Sequence, residues 1–166
     1  MIILGIDPGI AIVGYGVVHF DGQHFKPIEY GAITTPAGDK LTDRLRDIFE
    51  SVSILIEKHK PDAFSIEELF FNTNVTTAIH VAHGRGVCLL AASILNVPIF
   101  EYTPLQVKQA VCGYGRAEKA QVQRMVTSML NLNAVPKPDD VADALAIAMC
   151  HGYSAQYHSL VKEEGI

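Results

Sequence analysis

The stretch MIILGIDPGIAIVGYGVVHF, residues 1–20, decides how the rest of the chain can fold. Ile2, Ile3, Leu4 and Ile6 make an apolar run that Pro8-Gly9 stops, and residues 12–20 make a second run rich in β-branched and aromatic side chains. Asp21-Gly22 supplies a turn and residues 27–35 read as a third strand, so the chain is expected to open as a three-stranded meander. Asp7 closes the first strand. A carboxylate there is costly to bury unless it holds a cation or accepts several hydrogen bonds, which places it at the end of the sheet. Taken alone, it is equally a turn residue opening the D-P-G bend.

Working outward, Leu41, Leu45, Ile48, Phe49, Val52, Leu55 and Ile56 recur at helical spacing, in a helix that should end before Pro61. Residues 63–66 form a short buried strand ending at Glu67. Residues 76–95 read as a helix that is apolar on most faces, and residues 97–102 as the next strand. The remainder is helical, over 104–111, over 117–130 after the Gly113-Tyr114-Gly115 break, and from 140 to about 157 after Pro136 and Pro138. This order gives an α/β fold with a mixed five-stranded sheet flanked by helices, antiparallel at the hairpins and parallel where helices cross over. One domain over 1–166 suffices, with a flexible tail expected from about residue 158.

The composition agrees with a single core: 166 residues, 49% of them hydrophobic. No basic leader precedes the first apolar run. Ser93, Asn96 and Pro98 interrupt the longest later one, so no membrane span is expected. Cys88, Cys112 and Cys150 are scattered and lack ligand spacing, which fits a reducing cytoplasm and argues against a disulfide framework or a structural zinc site. The net charge of −5 is unevenly spread: residues 1–79 sum to −5, 80–130 to +3 and 131–166 to −3. Arg85, Lys108, Arg116, Lys119 and Arg124 in the middle third make either a basic face for phosphates or an ordinary mixed surface.

The acids carry the functional signal. Glu67 ends an apolar run as Asp7 does, and its neighbour Glu68 must point to the opposite face. Asp140 and Asp143 lie three apart at the start of a helix, hence on one face. Asp139 and Asp143 make an alternative pair, and acids in a first turn also serve as plain caps. If these acids converge, four carboxylates raise each other's pKa unless cations neutralise them, and all-oxygen donors favour Mg²⁺ or Mn²⁺ over zinc. Two such ions about 4 Å apart suit phosphodiester hydrolysis without a covalent nucleophile, and no G-x-S-x-G or Cys/His pair is evident.

Five segments together resemble RuvC-type Holliday-junction resolvases over nearly the whole chain: GIDPG at 5–9, GYGV at 14–17, IEE-LF at 66–70, FEYTPLQVKQAVCGYGRAEKAQVQ at 100–123 and DVADALAIA at 140–148. The resemblance implies an RNase H-like fold, a homodimer, and two-metal cleavage of four-way DNA junctions by paired symmetric nicks in recombination and repair. It implies the catalytic and metal-binding set Asp7, Glu67, Asp140 and Asp143, and its register selects Asp140 over Asp139. It carries a DNA-contacting aromatic over to Phe70 and phosphate-holding basic residues to Lys108 and Lys119, with Arg116 and Arg85 added as DNA contacts from the basic middle third. A branch-migration motor is implied as a further partner. Glu68 stands where the family has glutamine.

A twofold dimer matches the symmetry of a four-way junction. The apolar helix over 76–95, with Gly84 and Gly86 allowing close approach, is the expected interface, or else is simply buried within one subunit. Two competing readings remain: an actin-like phosphotransferase that uses GIDPG for ATP, and a junction-binding module whose acids are only caps and turn residues.

Overall fold

A computed structural model describes residues 1–68 and 75–163. The elements follow the expected order: β1 (Ile2–Asp7), β2 (Ile12–Phe20), β3 (Phe25–Thr34), α1 (Leu41–His59), β4 (Ala63–Glu67), α2 (Val75–Ile94), β5 (Ile99–Tyr102), α3 (Pro104–Cys112), α4 (Lys119–Met129) and α5 (Asp139–Glu163). They build a five-stranded sheet ordered β3-β2-β1-β4-β5. The two hairpin contacts, β1–β2 and β2–β3, are antiparallel, and β1–β4 and β4–β5 are parallel.

Boundaries differ in two instructive places. β3 starts at Phe25, ahead of Pro27, because Pro27 lies on an edge strand at the Val17/Val18 register shift, where the ladder loses little from a missing N–H. Helix α5 runs to Glu163, beyond the end expected near residue 157, since no proline or glycine follows Gly152 until Gly165.

Strand alternation divides the core into two layers. Leu4, Ile6, Val13, Val17, Phe64 and Ile66 face α1 and α2, meeting Ile48, Val52 and Ile56 of α1 and Cys88, Ala91 and Ala92 of α2. Ile3, Val18, Phe20 and Tyr102 face the other way, toward Val107 and Val111 of α3, Val122 and Val126 of α4, and Leu145, Ile147 and Met149 of α5. Asp7 is two steps from Gly5, and Glu67 two steps from Ser65. Both acids therefore belong to the α5 side of the sheet, at the carboxyl ends of two adjacent parallel strands.

Glycines let α5 reach them. Gly5 and Gly16 are cross-strand partners, as are Asp7 and Gly14. A Cβ at Gly5 would overlap the Ala144 carbonyl and the Ala148 backbone, and one at Gly14 would overlap the Asp140 carbonyl. One at Gly16 would press into Leu145. Ala142, Ala144, Ala146 and Ala148, all fully buried, keep the helix side equally thin. The helix axis therefore lies closer to the sheet than any larger side chains would permit, with its first turn directly over the end of β1.

Gly5→Ala should thus destabilise the domain by about 1–3 kcal/mol through overpacking against backbone that cannot yield. Urea denaturation measures it, and an unchanged unfolding midpoint would contradict the close-contact account.

Candidate active site

Four acids predicted from the sequence occupy the seam where α5 crosses the strand ends. Asp7 closes β1 and Glu67 closes β4, one step beyond the Ile6–Ile66 pair. Asp140 and Asp143 come from the first turns of α5, whose backbone rests on Gly14, the strand partner of Asp7. All four side chains are part-buried.

Their electrostatics show that they share one environment. Burial, then the charges of Glu67, Asp143 and Asp140, push the Asp7 carboxyl up to about 8, with Lys119 pulling in the opposite direction. Glu67 is also raised, first by burial and then by Asp143, against Lys119 and Lys108. Asp143 is raised by burial and by Asp140 and Asp139, while its hydrogen bond and charge interaction with Lys119 oppose this.

Asp139 behaves differently. Lys137 holds it at 2.9 Å and keeps its carboxyl below the usual range, whereas Asp140 is among the charges that raise Asp7. Of the two adjacent aspartates, Asp140 is thus the one turned toward the strand-end acids.

Lys119 supplies the compensating charge. Its Nζ donates to Asp143 at 2.9 Å and lies 3.7 Å from Asp139, and these acids together with Asp7 outweigh its partial burial to raise its pKa. Lys119 and Lys108 also line a cleft of about 210 Å³ with Glu67 and Asp143, over an apolar wall of Pro104, Val107, Val122 and Ile147. Helix α3 is fixed beside this cleft by a reciprocal cap: Thr103 Oγ1 accepts from the Gln106 N–H, and the Gln106 side chain accepts from the Thr103 N–H.

The donor set suits a hard divalent cation, being all oxygen, crowded and short of positive charge. Among the described residues, no group of three or more His, Cys, Asp or Glu side chains is gathered tightly enough to hold a metal ion. The acids instead stand as charge neighbours around Asp7, with the Lys119 ammonium as their local counter-charge. The thiols offer no rival chemistry: burial pushes both Cys88 and Cys150 up to about 12 and raises Cys112 as well.

The expected DNA contacts fall into distinct places. Lys108 and Lys119 border the cleft, and Arg116 is exposed on the loop before α4. Arg85 is elsewhere: its side chain is only 13% exposed, its Nε donates to the Glu67 carbonyl at 2.9 Å, and its guanidinium pairs with Glu101. Phe70 lies outside the described residues. Two features had no signal in the sequence. Glu101 is an ordinary strand-end acid until Arg85 is found beside it. Tyr102 Oη and the buried His151 Nδ1 lie 2.8 Å apart, with burial lowering His151 to about 4 and so keeping it neutral.

A raised carboxyl pKa favours the folded state most when the group is protonated. The Asp7 contribution is fully present below its ordinary value of 3.8 and is lost as pH rises through about 8. In chelator, the melting temperature should fall between pH 5 and pH 8. Asp7→Asn should flatten that fall and raise the midpoint at pH 8 by roughly 4 °C, as expected for about 1–2 kcal/mol in a domain of this size. Parallel curves for the two proteins would show that Asp7 is not electrostatically crowded.

Comparison with known proteins gives one consistent result. The family profile described as crossover junction endodeoxyribonuclease RuvC matches residues 3–151. The RuvC of Ruminiclostridium cellulolyticum is 62% identical over 161 residues, covering 97% of each chain. That of Alkaliphilus metalliredigens is 60% identical over 162 residues, covering 98% of this chain and 99% of the relative. Among solved structures, T. thermophilus RuvC in complex with a Holliday junction substrate superposes with a TM-score of 0.91 at 36% identity, covering 95% of this chain and 96% of that one.

Proposed function

This chain belongs to the crossover junction endodeoxyribonuclease RuvC family, and from that membership we propose that the acids at the α5–sheet seam are its cutting centre. The protein is a structure-specific endodeoxyribonuclease with an RNase H-like fold that resolves four-way DNA junctions. The observation that carries the assignment of the centre is the coupling of Asp7, at the end of β1, to Glu67, Asp140 and Asp143 from two other elements.

In this reading Asp7, Glu67, Asp140 and Asp143 are the residues that would draw together around two divalent ions per subunit, Mg²⁺ or in its place Mn²⁺. When bound, the ions supply Lewis acidity at the scissile phosphodiester. The protein's own groups do the remainder. Gly14 and Gly5 fix the distance between the helix acids and the strand acids. Lys108 and Lys119, on one side of the cleft, offset phosphate charge and orient the backbone of the cut strand. Lys119, which donates to Asp143 and lines the cleft, is placed to exchange that contact for one with an incoming phosphate. Val107, Val122 and Ile147 give the cleft an apolar wall beside these charged groups.

Paired symmetric nicks call for two such centres related by a twofold axis. The exposed Ile79, Leu90 and Ile94 of α2 support that helix as the homodimer face. Arg116 and Phe70 remain proposed DNA contacts, and a branch-migration motor remains a proposed partner on family grounds. Among the described residues no helix is long and apolar enough to cross a membrane.

With a synthetic four-way junction, Asp7→Asn and Glu67→Gln should each lower Mg²⁺-dependent cleavage by about 10³-fold or more, several kcal/mol of lost transition-state stabilisation. Junction affinity measured in chelator should stay within about threefold. Parental cleavage by either variant would remove these acids from the reaction.

A further inference from the structure

Arg85 directs its basic side chain inward: it is 13% exposed and its guanidinium is engaged by the backbone of β4 and a side chain of β5. It projects from α2 on the face of the sheet opposite α5, behind the strand ends that bear the acids. Its fork spans two adjacent parallel strands: Nε donates to the carbonyl of Glu67, the last residue of β4, and the terminal nitrogen Nη2 pairs with Glu101 of β5. Glu101 is the register partner of Ile66, next to Glu67, and the Glu68 N–H donates to the Tyr102 carbonyl on the same pair of strands. One residue earlier on the helix, Gly84 packs so closely on the loop after Asp7 that a Cβ there would overlap the Gly9 carbonyl.

We propose that Arg85 is a positioning residue for the cleavage reaction, a guanidinium clamp that fixes the end of β4 from behind so that the Glu67 carboxylate faces Asp7 and Asp143. The inference rests on the assignment of Glu67 to the cutting centre. Its physical basis is that a carbonyl at a strand terminus lies beyond the regular ladder, where small backbone rotations swing the side chain through large arcs. A planar fork with a carbonyl on one nitrogen and a carboxylate on another removes that freedom, and a lysine ammonium, a single point donor, cannot span both. Gly84 does the corresponding service for β1, so α2 backs both acid-bearing strand ends. This replaces the reading of Arg85 as a DNA contact.

Arg85→Met, Arg85→Lys and Glu101→Gln separate the possibilities, with Glu67→Gln alongside and rates normalised to the junction-binding-competent fraction. For Arg85→Met the single-turnover cleavage rate should fall about 10- to 100-fold, as for lost support of a metal ligand, and the Mg²⁺ concentration for half-maximal rate should rise severalfold. Arg85→Lys and Glu101→Gln should fall in between. Junction affinity in chelator and its salt dependence should match the parent. A fall in affinity with a salt slope shallower by about one would make Arg85 a phosphate contact and overturn the proposal. A normalised rate and Mg²⁺ requirement equal to the parent's in all three variants would also overturn it, leaving a purely structural role. If Glu67→Gln itself cleaves normally, the failure belongs to the underlying assignment of the centre.

Discussion

The contact between the backbone of α5 and the backbone of β1 and β2 is the constraint on which the remaining geometry depends. Helix-on-sheet packing ordinarily leaves room for a layer of side chains, and here Gly5, Gly14 and Gly16 on one side and a run of alanines on the other remove much of that layer. Asp140 and Asp143 are short side chains. They influence Asp7 and Glu67 because the helix that carries them is held close. The contact also explains how so apolar a helix starts with acids: its first turn projects past the hydrophobic layer to the open ends of the strands, while the next three turns are among the most buried residues of the molecule.

Crowding of like charge is the direct consequence. Three elements each bring a carboxylate to a partly desolvated seam, and mutual repulsion adds to burial in favouring the protonated form of Asp7. Such an arrangement is unfavourable for folding and useful for binding cations, a combination expected where function and stability make opposite demands. Lys119 moderates the conflict from α4, and it lines the cleft through which substrate phosphate would approach. The same ammonium is thus placed to stabilise the protein without ligand and to assist it with one.

The topology was legible because the strands are short, apolar and bounded by Pro-Gly, Asp-Gly and Pro punctuation, and because α1 has a clear apolar stripe. The acids stood out for a related reason: Asp7 and Glu67 interrupt runs that are otherwise buried. What the linear pattern could not convey was direction. Arg85 and Lys119 are equally basic in the primary chain, yet one turns behind the sheet to hold a backbone carbonyl while the other turns toward Asp143. The choice between Asp139 and Asp140 likewise rested on family register alone, because both are helix-start aspartates, and they differ only once Lys137 draws one of them outward. The Tyr102–His151 pair was hidden because its partners lie 49 residues apart and neither interrupts a pattern.

The central claim is spatial: acids from β1, β4 and α5, charge neighbours of Asp7 at the point where the helix crosses the strand ends, would close around divalent ions when these bind. Anomalous diffraction from crystals of the protein grown with Mn²⁺ locates such ions without reference to activity. The account predicts manganese peaks within about 2.3 Å of Asp7 and of at least one of Glu67, Asp140 and Asp143. Ordered manganese found only on other carboxylates, with Asp7 left unliganded at saturating ion, would contradict it.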